Sequence, residues 1–240
     1  MKNHKMLRSL LLAAMLCLVS SILFANRPHA VVDSQKGQTP QIDDPRTLIQ
    51  VLRRDGLRGA AKLKGHYVTD FDPHWDFGAF DVESLTKNSA GVVVGMVGTT
   101  LGGHLTEDGL SILTDYPVIV QENIKGDFIK GSTIIISLPG GRVQFEDGTT
   151  AELRTPTFEH VKAGGQYTIF LTETGNSPGK YTLTGGPQGL VEILDDGSMK
   201  SHGRSTDPVA IQAKEKDKRS FLKNVREQAR KWPNKGKCCT

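Results

Sequence analysis

The chain has 240 residues, 37% of them hydrophobic and 6% aromatic. That is enough for one ordinary domain with extensions and too little for two full cores. The net charge of +4 is unevenly distributed. Residues 26–200 carry 16 basic and 22 acidic side chains, whereas residues 201–240 carry 11 basic and 4 acidic. A mildly acidic body with a basic C-terminal segment does not read as a nucleic-acid-binding surface spread over a whole domain.

Residues 1–25 read as a targeting segment. Lys2, Lys5 and Arg8 precede an apolar run from Leu10 to Phe24 that is interrupted by Ser20 and Ser21. The run is short for a bilayer span. A cleaved export signal is therefore expected, cut after Ser21 or Ala25, with a retained anchor as the alternative. This places the protein outside the cytoplasm, in a periplasmic or extracellular setting. Cys17 would leave with the signal. Cys238 and Cys239 remain near the end, too close together to staple a fold. A free tail, a vicinal disulfide and an intermolecular link all fit them.

Residues 26–88 read as a polar linker, a short helix and an irregular arm. In "DDPRTLIQVLRRDG", Asp44 and Pro45 form a helix start and Gly56 a stop. Leu48, Val51 and Leu52 would share one face. "GHYVTDFDPHWDF" (65–77) concentrates His66, Asp70, Asp72, His74 and Asp76. The histidines lie eight apart, which is neither a helical nor a strand ligand spacing. The expected structure is an arm with Trp75, Phe77 and Phe80 inward and the aspartates outward.

From residue 89 to residue 200 the pattern becomes that of strands. "AGVVVGMVGTT" is β-branched, and Tyr116, Val118 and Val120 alternate with Ile119 and Gln121. Asp108-Gly109 and Pro139-Gly140-Gly141 mark turns, the latter read as joining two paired strands. Three further strands are predicted over 167–172, 180–184 and 190–194, with turn residues between them. Such spacing predicts a small antiparallel barrel or sandwich. Residues 201–240 are expected to form a basic helical tail. Phe221, Leu222, Val225 and Ala229 provide a narrow apolar stripe, Glu215 and Arg219 an ion pair at helical spacing, and Pro233 a stop. The fold class is therefore mainly β: an OB-like barrel or sandwich with an N-terminal helix and a C-terminal basic helix.

The succession "AGVVVGMVG", "ILTDYPVIVQENIKGD", "GSTIIISLPGG" and "VKAGGQYTIFL" resembles the order of signals in OB-like barrels of the netrin-module type, which include the tissue inhibitors of metalloproteinases. It also looks like that of exported bacterial proteins of unknown function. The resemblance covers roughly residues 89–195. It implies a barrel and carries no activity, because those inhibitors act through an N-terminal cysteine and this chain has none between Cys17 and Cys238.

No nucleophile elbow, H-E-x-x-H, C-x-x-C or G-x-G-x-x-G pattern occurs. "GDFIKGS" (126–132) has glycines at phosphate-loop spacing but lacks the lysine after the second glycine, so it reads as a turn. "HLTEDG" (104–109) reads as a solvated hairpin tip, and His160 and His202 as surface histidines. No catalytic residue, bound metal or cofactor is expected. The candidates for an alternative, metal-assisted hydrolase are His66, Asp70 and His74, with His104. The leading expectation is a non-enzymatic protein that contacts another protein or a surface polymer. Its basic tail could also hold an anionic surface, while nucleic acid is a poor partner for an exported chain.

Overall fold

The fold was analysed in a computed structural model that describes residues 45–72, 78, 80–174 and 179–233. It is mainly β, with a closed five-stranded barrel and four helices among the described residues.

Five strands form the barrel: β2 (Gly91–Val97), β4 (Ile112–Lys125), β5 (Thr133–Pro139), β8 (Gln166–Glu173) and β9 (Lys180–Leu183). Strand β2 pairs with β4 and β8, β4 with β5, and β8 with β9, all antiparallel. A short parallel pairing of β5 with β9, Ile135 and Ile136 against Lys180 and Tyr181, completes the ring. This order is compatible with an OB-like barrel. Closure removes the free edges that an open sheet would expose. The interior is filled by Val93, Val97, Val118, Val120, Ile136 and their neighbours, with Phe158 from the loop before β8.

Strands β2 and β8 are buried on both faces. That explains why Val92–Val94 and Ile169–Leu171 read as unbroken apolar runs and not as alternations. Their outer side chains, Val92, Val94 and Phe170, form a second core with β10 (Leu190–Ile193), α2 (Val82–Asn88), α3 (Pro208–Glu215) and α4 (Lys218–Lys231). Phe221, Leu222 and Val225 of α4 are part of this core, so the basic segment is packed on the barrel and does not trail from it. The predicted ion pair of Glu215 with Arg219 requires one continuous helix. Instead the chain breaks at Lys216, and Asp217 caps α4 by accepting from the Ser220 N–H at 2.8 Å. The two residues therefore belong to different helices.

A third core lies under α1 (Pro45–Lys64), which packs on a three-stranded sheet of β1 (His66–Asp70), β7 (Thr150–Arg154) and β6 (Gly141–Gln144). Gly56 does interrupt α1, with φ 63° and ψ −157°, but the helix resumes and buries Leu57, Ala60 and Ala61 at spacings of three and four. At the break the Leu57 N–H donates to the Gly109 carbonyl at 2.9 Å. A Cβ at position 56 would lie 2.5 Å from that carbonyl oxygen, so the site requires glycine for space as well as for φ.

Two readings about the strands are revised as well. His66–Asp70 is not irregular: it pairs in parallel with Thr150–Arg154. The Pro139–Gly141 turn is present, but its flanking strands do not pair with each other. Strand β5 stays in the barrel, and β6 joins β7 in the smaller sheet. The arm ends at Phe80, half-buried against the second core. Its backbone N–H donates to Gln188 Oε1 at 2.7 Å, and Gln188 Nε2 donates to the Gly78 carbonyl at 3.2 Å. The "GGPQG" turn at 185–189 thus fastens the arm to the barrel. The readings placed on His74, Trp75 and Phe77 lie outside the described residues.

Candidate functional site

The strand character of 66–70 decides the geometry of the metal-ligand candidates. His66 and Asp70 stand at opposite ends of β1, roughly 13 Å apart along an extended chain. A helix would have placed the same two residues on adjacent turns. His66 Nδ1 shares a hydrogen bond of 2.5 Å with Thr150 Oγ1 on the neighbouring strand. His104 lies on β3 (Gly102–Leu105), which pairs with the start of β4. Among the described residues, no group of three or more His, Cys, Asp or Glu side chains is placed to hold a metal ion. His74 is outside them.

His104 belongs to a different constellation, on the outer wall of the barrel. Asp115 of β4 faces Ser137 of β5 across the antiparallel ladder. Its Oδ1 accepts from Ser137 Oγ at 2.5 Å, and its Oδ2 accepts from Lys180 Nζ of β9 at 2.7 Å. His104 Nδ1 stands 3.8 Å from the same Oδ2. Alternation along β4 directs Asp115 outward, but Ser137, Lys180 and His104 surround its carboxylate and only 12% of its side chain is exposed. Leu101, beside it, is exposed.

Burial pushes the Asp115 carboxyl up, but the bonds from Lys180 and Ser137, with His104 nearby, outweigh it and hold the group below the ordinary carboxylate value. A depressed carboxyl contributes stability that is present above the unfolded value of about 3.9 and lost as pH falls through the lower folded value. Asp115→Asn is expected to cost about 1–2 kcal/mol at neutral pH and to flatten the acid side of the stability profile. Urea unfolding at a series of pH values would check this, and an unchanged acid limb would show that Asp115 does not contribute.

Chemically the cluster is arranged to hold charge. The Ser137 hydroxyl donates its hydrogen bond directly to a carboxylate, so no imidazole stands between acid and hydroxyl to activate it. Lys180 and His104 leave donors at the surface: their side chains are 39% and 43% exposed. Sequence reasoning singled out His104 alone. The signal for Asp115 was a carboxylate inside the apolar run "ILTDYPVIV"; Ser137 and Lys180 gave none, because only strand pairing brings them in.

A cavity of about 550 Å³ lies beside the start of β8, lined by residues 162–166, Glu192–Asp195, Gly197 and Lys218 from the loop before β8, β10 with the turn after it, and the start of α4. Glu192 is buried at its wall, with Oε1 accepting from Lys162 Nζ at 3.2 Å. Lys218 donates to Gln166 Oε1 at 2.8 Å, and Gln166 in turn donates to Gln121. Next to Glu192 sits His202, read from the sequence as a surface histidine. In the fold only 1% of its side chain is exposed, because Phe158, Tyr167 and the end of β11 (Met199–Ser201) enclose it.

No described helix is long and apolar enough to cross a membrane. Compared with known proteins, the chain matches no family model, no curated sequence and no solved structure.

Proposed function

We propose that this chain is an exported, non-enzymatic β-barrel protein that binds another protein or a surface polymer. The observation that supports this best is the engagement of the outer-wall cluster. Both oxygens of Asp115 are engaged, one by Ser137 and one by Lys180, so the cluster offers the remaining donors of Lys180 and His104 for recognition. Barrels of OB-like form commonly bind oligonucleotides or oligosaccharides on one strand face and its flanking loops.

A specific observation favours a second contact. The apolar stripe of α4 is consumed by the second core. Arg219, Lys223, Arg230 and Lys231 are therefore left exposed on the opposite side of the packed helix, with Trp232 at its end. Lys87 lies 4.6 Å over the Trp232 ring and extends the basic face onto α2. An anionic surface is the partner that such a face would attract.

The purified protein is expected to leave a broad panel of ester, peptide and glycoside substrates intact and to be retained by anionic vesicles in a salt-sensitive way. Reversing Arg219, Lys223, Arg230 and Lys231 to Glu should abolish that retention while the far-UV spectrum is kept. Turnover of any panel substrate would overturn the non-enzymatic reading, and retention unaffected by charge reversal would remove the helix from it. Metal analysis of untagged protein separates the hydrolase alternative: stoichiometric metal lost on His74→Ala would replace the binding reading.

A further inference from the structure

His202 and Glu192 present two buried acceptors to each other. His202 Nδ1 lies 3.0 Å from the Glu159 carbonyl, which can only accept, so Nδ1 carries the proton of a neutral ring. Nε2 then holds a lone pair, and it faces Glu192 Oε2 at 3.8 Å, beyond hydrogen-bond reach. Both atoms are buried without a hydrogen-bond partner. Buried polar atoms left in this way are uncommon and costly.

The surroundings decide how the pair responds to a proton. The ring stands against Tyr167 of β8 and Phe158, with centroids 5.8 and 6.3 Å away. The charged groups facing the pair are Glu159, Glu192, Lys200 and Lys162. Lys200 is bonded to the Glu159 carboxylate at 2.6 Å, and Lys162 to Glu192. Both carboxylates are thus already compensated by lysines. The backbone of His202 is tied to β10 through its N–H to the Leu190 carbonyl at 3.0 Å. His202 therefore connects three elements: the loop before β8 through its ring, and strand β10 and the end of β11 through its backbone.

We propose that His202 is a proton-operated latch: the neutral imidazole holds the segment 158–165 on β10 and β11, and protonation releases that segment and opens the cavity beside Glu192. Burial pushes the imidazole below its ordinary value, although the Glu159 carbonyl and the two carboxylates push it up. The open form therefore binds the proton more tightly, and the closed form loses stability as pH falls below about 6.5. A proton on Nε2 leaves the Nδ1 bond to Glu159 in place but finds Glu192 Oε2 at 3.8 Å, out of hydrogen-bond reach, so a cation with 1% of its side chain exposed gains no bond in the closed form and must move or recruit water.

Amide hydrogen exchange on the full chain at about pH 7.5 and about pH 5.0, corrected for the intrinsic exchange rate, tests the latch. Protection over 158–165 is expected to fall about tenfold or more at the lower pH. His202→Asn retains an amide donor for the Glu159 carbonyl and takes no proton, so its protection should be independent of pH. Unchanged protection in the wild-type protein, or an equal acid loss in His202→Asn, would overturn the proposal. Should that variant not fold, an NMR titration of the wild-type imidazole still decides. A midpoint below about 6.5 that moves together with the 158–165 amides supports the latch, whereas a midpoint at or above it means that the proton is kept in place by Glu192.

Discussion

Phe221→Ala is expected to destabilise the protein by about 3–5 kcal/mol. The ring is fully buried between α4 and the outer faces of β2 and β8, among Val92, Val94, Phe170 and Val191. Its removal forfeits the transfer free energy of a phenyl group and leaves a cavity that β-branched neighbours cannot close. Such a loss is a large part of the roughly 5–15 kcal/mol that holds a domain together. Urea unfolding would show a lower midpoint at unchanged slope. A loss below about 1 kcal/mol would mean that α4 rests loosely on the barrel. The same packing means that removing α3 and α4 would strip the second core. Charge reversal on the exposed side of α4 leaves that core untouched.

The second large effect is expected at Lys125, at the end of β4. Its ammonium is buried and donates to the Thr86 carbonyl at 2.7 Å and the Ser89 carbonyl at 2.8 Å, with Lys87 O at 3.4 Å. These are carbonyls at the C-terminal end of α2, where the helix dipole is negative and the last acceptors lack helical partners. Lys125→Met keeps the aliphatic stem and leaves the carbonyls unpaired inside the protein. The expected cost is about 2–3 kcal/mol, concentrated in α2. Exchange of the amides over 85–89 should accelerate more than exchange in the barrel. If the acceleration is uniform, Lys125 supports the fold as a whole and not this helix end.

How much was legible in the sequence varies with the range of the interaction. The strands over 167–172, 180–184 and 190–194 were placed within a residue or two, because turn glycines and apolar runs are local properties. The start of α1 at Pro45 was equally local. Its continuation past Gly56 was not, since the break is tolerated only because the freed Leu57 N–H finds the Gly109 carbonyl in a distant turn. Within the basic helical segment, α3 is not legible as a helix of its own although Asp207-Pro208 is a start signal, because eight residues carry too little periodicity to stand out. The candidate sites were the least legible. His66 and Asp70 looked like ligands by count, and a strand separates them. Glu192 in "LVEIL" and Asp115 in "ILTDYPVIV" were visible as charges inside apolar runs, while their partners lie far along the chain.

The sequence by itself determined that this chain is mainly β with a helix at each end, because apolar spacing, β-branching and turn residues act over a few positions. Tertiary structure alone decided that β9 closes the ring on β5, that the basic helix roofs a second core, and that His202 is buried beside Glu192. Those outcomes depend on which strands and helices cover one another. That choice is made by the burial free energy of the whole barrel, to which each residue contributes only after its distant neighbours are in place.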